Sequence, residues 1–291
     1  MIWLTGSKGM LGQEFVWVMK SKRIPFIGTD SEHDICDLKI LQDFAAKYPI
    51  DWIIHCAGYT KVNRAESEKE AAYDLNVKGI KNICTIAREK DAKLIYFSTD
   101  YVFDGKKKTP YTEEDEPNPV NYYGVTKLES DLMVMKELKK YYIFRISWLY
   151  SAYGHNFVKS IISTAQKQKN ISVVKNQIGS PTYAKKLAEN IVKCVYNKKD
   201  GKYGLYNYSD EGAISWYEFS KAIVDEALSR DIIEHRVTLK PISSKDYYLK
   251  TKRPAYSVLD KTKIKTELQC PVKSWKSNLV SFFDDYLSMM K

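Results

Sequence analysis

The sequence predicts an α/β fold, a doubly wound parallel sheet followed by a smaller mixed α/β region. Three observations carry that prediction. Through the first half, short β-branched or aromatic runs alternate with longer stretches of helical period. The short runs are apolar throughout, as strands buried on both faces are. A glycine-rich turn follows directly on the first of them. Strand–helix–strand repetition of this kind implies a parallel sheet with helices on both faces and ligands at the carboxyl ends of its strands.

The first strand is Ile2-Trp3-Leu4. After the turn, Leu11, Phe15, Val18 and Met19 recur at i, i+4, i+7 and i+8, one apolar face of a helix. Further strands are expected at 25–29, 52–56, 94–98 and 142–146, with helical stretches at 38–47, 66–90 and 127–140. Past Trp148 the rhythm loosens into helices at 156–169, 185–197 and 216–229 and a short strand at 171–174. Pro, Gly and Asn cluster at 115–120 and 176–181, which suits loops over a site. There is no internal repeat and no low-complexity tract.

The 291 residues are 44% apolar and 28% charged, an ordinary globular balance, with a net charge of +10. That charge favours anionic ligands, but lysine is scattered in short runs such as Lys106-Lys107-Lys108 and Lys139-Lys140. No zinc finger, RNA-binding signature or arginine-rich arm appears, so no nucleic-acid partner is expected. No stretch approaches the roughly 18 to 20 apolar residues of a membrane span, so no membrane partner is expected either. No secretory leader is visible. Cys36, Cys56, Cys84, Cys194 and Cys270 are odd in number and form no C-x-x-C pattern, so free thiols in the cytoplasm are expected. The four histidines are dispersed, and no metal site is expected.

Gly6-Ser7-Lys8-Gly9-Met10-Leu11-Gly12 reads G-x-x-G-x-x-G between strand and helix. Glycines there permit a tight turn and close approach of backbone to a pyrophosphate, which the free N–H groups of the helix amino end attract. Asp30 follows Gly12 by 18 residues at the end of the second strand. A carboxylate there accepts from the adenosine ribose hydroxyls and repels a 2′-phosphate, which favours NADH; nearby lysines leave NADPH open. Asp37 either hydrogen-bonds the adenine or caps a helix. Residues 1–150 therefore read as a dinucleotide-binding domain, to which later segments return, and 151–291 as mainly a substrate-binding region.

Tyr123 and Lys127 stand four apart, on one helix face. A free phenol titrates near pH about 10, so one that works at neutral pH needs a cation beside it. Lys127 supplies that charge and can hold a nicotinamide ribose. Ser98-Thr99-Asp100 ends the fourth strand, where a hydroxyl can meet the substrate oxygen beside the tyrosine.

Gly6-x-x-Gly9-x-x-Gly12, Thr99 and Tyr123-x-x-x-Lys127 together resemble a Rossmann-type extended short-chain dehydrogenase/reductase. Within that superfamily, residues 98–105 (Ser-Thr-Asp-Tyr-Val-Phe-Asp-Gly) are similar to the dTDP-4-dehydrorhamnose reductase family. So are 145–150 (Arg-Ile-Ser-Trp-Leu-Tyr), Gly154-His155-Asn156-Phe157, 177–182 (Gln-Ile-Gly-Ser-Pro-Thr) and Arg253-Pro254. The resemblance implies NAD(P)H-dependent reduction of the C4 ketone of dTDP-4-dehydro-L-rhamnose to dTDP-L-rhamnose, for cell-surface polysaccharide. It implies Tyr123 as proton donor, Lys127 as its modulator and ribose ligand, and Thr99 as the hydroxyl that polarises the carbonyl. Gly9-Met10-Leu11, Asp30, Asp37-Leu38 and Ala57-Gly58-Tyr59 match the cofactor contacts. Thr99, Asp100, Tyr101 and Trp148 match the sugar pocket, with Asn156 and Gln177 as weaker candidates beside the sugar nucleotide. Trp148 reads equally as a buried core indole.

Two departures bear on substrate identity. Asn63 stands where the family commonly has Asp, and Tyr256 replaces the usual Asn after Arg253-Pro254-Ala255. Some members bind a divalent metal at a dimer contact through glutamates; the matching stretch here carries Lys185-Lys186, and a homodimer stays open. Two other readings remain. One is a reductase or C4 epimerase of another nucleotide-linked 4-keto-6-deoxy sugar. A dehydratase would need an Asp-Glu pair after the threonine, and here Asp100 is followed by Tyr101. The last is a non-catalytic, dinucleotide-binding regulatory subunit like that of methionine adenosyltransferase.

Overall fold

In the computed structural model, which describes residues 1–198, 201–247 and 251–290, six parallel strands form the central sheet. They are β1 (Ile2–Thr5), β2 (Phe26–Thr29), β3 (Trp52–His55), β4 (Lys93–Thr99), β5 (Tyr141–Ile146) and β6 (Gly204–Tyr208). Their spatial order is β2-β1-β3-β4-β5-β6, so the direction of winding reverses between β1 and β3. A crevice opens at such a reversal, at the strands' carboxyl ends.

Alternation along each strand shows why both faces are covered. Ile2, Leu4, Ile54, Ile95, Phe97 and Phe144 point to one face, where α1 (Met10–Ser21) contributes Phe15, Val18 and Met19. Trp3, Ile53, Leu94, Tyr96 and Ile143 point to the other, against α2 (Leu38–Ala45) and α3 (Gly79–Glu89). A third apolar cluster joins the helices Phe157–Lys167, Trp216–Ser229 and Trp275–Met290 around Tyr150, Phe219 and Phe282.

The expected helix at 66–90 is interrupted. A helix Lys69–Tyr73 widens into a π-turn over Asp74–Lys78 before α3 begins at Gly79. A Cβ on Gly79 would lie 2.7 Å from Ile35 Cδ1, so the chain closes on its neighbour there. The wide turn faces Asn76 inward, where it is buried and bonds Tyr59 N, Tyr59 O and Thr126 Oγ1. The helix expected at 127–140 begins earlier, as α4 (Tyr122–Glu137), because Asn121 caps it by accepting from Gly124 N at 2.8 Å. The helix expected at 185–197 is Ala184–Ile191 followed by a π-turn. Among the described residues, three short two-stranded sheets lie outside the central one, including the parallel pair Asn170–Val174 with Thr238–Ile242. Among the described residues, no helix is long and apolar enough to cross a membrane.

Candidate active site

The glycine turn lies at the winding reversal. Gly6 has φ +67°, and a Cβ on it would sit 2.6 Å from Ala57 N, so the ends of β1 and β3 touch through glycine. A Cβ on Gly12 would fall 2.0 Å from Gly6 O, which presses α1 against its own entry loop. Gly9 precedes α1 with no side chain over the helix amino end, leaving the N–H groups around Met10 and Leu11 open to an anion. This cradle fits a dinucleotide pyrophosphate. Ala57, Gly58 and Tyr59 continue from β3 beside it, held by Asn76.

At the end of β2, Asp30 Oδ2 accepts from Lys8 N at 2.8 Å and Oδ1 from Ser31 N. Lys8 pairs with Glu32 at 3.0 Å. Asp37 caps α2, accepting from Ile40 N, with Leu38 as the first residue of that helix. Both carboxylates thus already bond backbone.

The chemical groups meet where β4 ends. Thr99 Oγ1 donates to Asp100 Oδ1 and accepts from Tyr101 N, both at 3.2 Å. The first turn of α4 lies directly on this corner: a Cβ on Gly124 would be 2.2 Å from Tyr101 O. That contact explains glycine after Tyr123, and it holds the Tyr123 and Tyr101 rings edge to face at 6.0 Å. Burial pushes the Tyr123 phenol above its usual range while the Thr99 hydroxyl facing it draws it back. A phenol so placed keeps its proton at neutral pH. Lys127 is buried; its amine donates to Phe97 O at 2.8 Å and lies 4.1 Å from the Tyr96 ring centre. Burial pushes Lys127 down to about 8, and it is still mostly an ammonium at pH 7. Asp100, fully buried, is pushed up to about 7 by desolvation, against hydrogen bonds from Ser257 and Thr99.

Beyond this corner opens a cleft of about 1190 Å³, lined by the adjoining Asp104, Gly105 and Val120 but by none of Thr99, Asp100, Tyr101 and Tyr123. Asn156, Gln177, Lys61, Asn63, Arg64 and Arg253 are among the residues that line it. Asn156 also caps the helix Phe157–Lys167 and donates to Ser151 O at 2.7 Å, so it serves loop backbone as well. Arg253 reaches across to Asn63 Oδ1 at 3.4 Å, joining two segments 190 residues apart. Trp148 reaches the cleft through Trp216: the indoles stack at 3.4 Å and 8°, and Trp216 faces the opening. Trp148 has φ +46°, a strained value for a bulky residue. A Cβ on Gly179 would lie 2.5 Å from its ring, so only glycine leaves room there.

The structure thus gathers Thr99, Asp100, Tyr101 and Tyr123 at one corner, with Lys127 one turn deeper, and places Asn156 and Gln177 in the lining of the cleft. Sequence reasoning missed Asn76, Trp216 and the bridging role of Arg253. Nothing local marks the first two, whereas Arg253 stands in the Arg253-Pro254 motif, which by itself names no partner. Among the described residues, no cluster of three His, Cys, Asp or Glu could hold a metal, and all five cysteines are free. At the stretch expected to lack a metal, Lys185 pairs with Asp285 at 2.5 Å.

Comparison with known proteins adds to this geometry. A family profile described as RmlD substrate binding domain matches residues 1–288. The dTDP-4-dehydrorhamnose reductase of Aggregatibacter actinomycetemcomitans is 34% identical over 95% of this chain and 96% of its own. A dTDP-4-keto-6-deoxy-D-glucose reductase of Streptomyces niveus is 30% identical over 97% and 96%. The crystal structure of a Bacillus anthracis dTDP-4-dehydrorhamnose reductase in complex with NADP superposes with a TM-score of 0.91, at 35% identity and 98% coverage of both chains.

Proposed function

The chain belongs to the dTDP-4-dehydrorhamnose reductase family and is an NAD(P)H-dependent oxidoreductase, and from that premise we propose that it reduces the C4 ketone of dTDP-4-dehydro-L-rhamnose to dTDP-L-rhamnose. The observation that carries the reading is the meeting of Tyr123 and Thr99 at the mouth of β4, with the buried Lys127 ammonium on the same helix face.

The Gly6–Gly12 cradle would hold the cofactor pyrophosphate, Asp30 and Asp37-Leu38 its adenosine end, and Ala57, Gly58 and Tyr59 its middle. When bound, NADH or NADPH supplies the hydride. The protein's own part is proton transfer and charge stabilisation. Tyr123 donates its phenolic proton to the C4 oxygen as negative charge develops there. Thr99, which donates to Asp100 here, turns that proton toward the same oxygen and shares the charge. Lys127 stabilises the phenolate left on Tyr123, since a nearby cation favours the charged form. Asp100, Tyr101, Trp148 with its partner Trp216, Asn156 and Gln177 orient the sugar nucleotide, and Lys61, Arg64 and Arg253 offer positive charge to its diphosphate.

Another 4-keto-6-deoxy hexose is the second reading. It is favoured by Asn63 and Tyr256, the two departures from the family pattern, and by the Streptomyces niveus relative, whose name carries a different hexose. We further propose residues 1–150 with β6 as the cofactor domain and most of 151–291 as the substrate region, in a cytoplasmic enzyme without a nucleic-acid partner.

Replacing Tyr123 with Phe removes the acid and should lower kcat by roughly 10² to 10⁴-fold while the reduced cofactor binds as before. Cofactor fluorescence and product NMR read the two effects separately. A Phe variant with wild-type turnover contradicts the assignment.

A further inference from the structure

We infer that Asp131, anchored by Arg145, is a positioning residue for this reaction: it supplies the buried counter-charge that keeps the Lys127 ammonium charged and in place behind Tyr123. The inference rests on the proposed roles of Tyr123 and Lys127 and extends them to a residue that touches neither substrate nor cofactor.

Tyr123, Lys127 and Asp131 are spaced by four along α4 and share its inward face. Asp131 is fully buried, and its Oδ2 accepts from Arg145 Nε at 3.2 Å. Arg145 comes from β5, in register with Ser98 of β4, and is itself buried, its guanidinium 5.2 Å from the Phe103 ring centre. A carboxylate and a guanidinium beneath an active-site helix form an expensive arrangement, because each ion loses its hydration and the mutual attraction repays only part of the cost. Burial indeed raises the Asp131 carboxyl, against the pull of Arg145 and Lys127. The pair also does nothing that apolar residues could not do for packing. Its effect on Lys127 is what distinguishes it.

The surroundings of Lys127 make this specific. From β3 comes His55, which burial pushes down to about 3 and leaves neutral, its Nδ1 2.7 Å from Thr5 Oγ1. From β4 come the Tyr96 ring and Phe97 O, both uncharged at neutral pH. On α4 itself stand Tyr123, protonated, and Asp131. Among the described residues, Asp131 is the one carboxylate whose charge acts on Lys127, opposing the desolvation that pushes the amine down. Arg145, a permanent cation in contact with Asp131, favours the ionised carboxylate against that desolvation. Charges interact through the interior with less screening than at the surface, so one helical turn of separation does not cancel the effect.

The test uses the full chain with ¹³Cε-labelled lysine, the Lys127 resonance being identified by its loss in Lys127→Met. In wild type it should titrate near pH 8. In Asp131→Asn the midpoint should fall by about one pH unit or more, the scale of a lost opposite charge. The alkaline limb of kcat/KM, measured with NADPH and dTDP-4-dehydro-L-rhamnose, should fall with it. Asp131→Glu keeps the charge and should return both to within about 0.3 of a unit, while melting curves register any loss of packing. A lowered melting temperature and lowered kcat with an unmoved Lys127 titration would mean a purely structural ion pair, and would overturn the inference. If Asp131→Asn does not fold, the Glu variant decides: a midpoint that falls despite the retained carboxylate overturns the inference equally. A Lys127 midpoint that moves while wild type shows no turnover supports the inference and overturns the substrate reading alone.

Discussion

The cofactor cradle and the substrate cleft are built in opposite ways. The cradle is backbone against backbone: Gly6 on Ala57, Gly12 on Gly6, and Gly124 of the neighbouring proton-transfer corner on Tyr101, each at distances no Cβ allows. The cleft is side chain against side chain, assembled from stretches near residues 61, 105, 156, 177, 216 and 253. A region of the first kind leaves no room for an added side chain. A region of the second kind can change its lining while the chemistry stays. The difference implies that the shape of the cradle is fixed by a few glycines and the lining of the cleft by many separate side chains.

The largest expected effect breaks the cradle. Gly12→Ala places a methyl 2.0 Å from Gly6 O, and backbone cannot yield as a flexible side chain can. NADPH affinity should fall by at least about 100-fold, the loss expected when a severe backbone clash costs about 4 kcal/mol shared between folding and binding. Fluorescence titration that finds near wild-type affinity would show that the two regions do not differ as described.

The second effect lies on the seam between them. Glu14 of α1 is buried and accepts from Ser151 Oγ at 2.6 Å, close to the loop that brings Gly154 over Met10. Desolvation pushes Glu14 up to about 7, against Ser151 and Lys185, with Asp285 and Glu189 adding to the rise. A carboxyl raised in the folded state contributes stability below its ordinary pKa, and that contribution is lost as pH climbs through the folded value. Wild-type stability should therefore fall between pH about 4.5 and 7 from this group, by up to about 3 kcal/mol. Glu14→Gln keeps an acceptor for Ser151 without the charge. Its melting temperature relative to wild type should rise from pH 5 to pH 8, and a difference that stays flat with pH would exclude Glu14 as the cause.

The smallest effect sharpens the cleft side. Trp216→Ala removes the surface against which Trp148 is held at 3.4 Å. KM for the sugar nucleotide should rise about tenfold, equivalent to about 1.4 kcal/mol, with cofactor affinity within twofold of wild type. Equal losses of both would place Trp216 in the general core rather than in the cleft.

The same division governs what the sequence reveals. The glycine turn, the Tyr123/Lys127 spacing and five of the six sheet strands are local patterns, and each stands where its pattern predicts. Strand β6 pairs with β5 across an interval of more than 50 residues, and its Gly-Leu-Tyr-Asn-Tyr carries no sign of that partner. Asn76 is one amide within a helical stretch, and only the π-turn faces it inward. Trp216 acquires its role from a Trp148 lying 68 positions earlier. Asp131, by contrast, is legible, since it continues the four-residue step from Tyr123 through Lys127.

The central claim is that the Thr99–Tyr123 corner delivers a proton to the oxygen of a C4 ketone while hydride arrives at its carbon. Incubation with reduced cofactor deuterated at the transferred position, dTDP-4-dehydro-L-rhamnose and H₂O tests it most directly. NMR of the product should show rhamnose with deuterium at C4 and one equivalent of cofactor oxidised. Unlabelled sugar, or a sugar altered with no cofactor oxidised, would contradict the account.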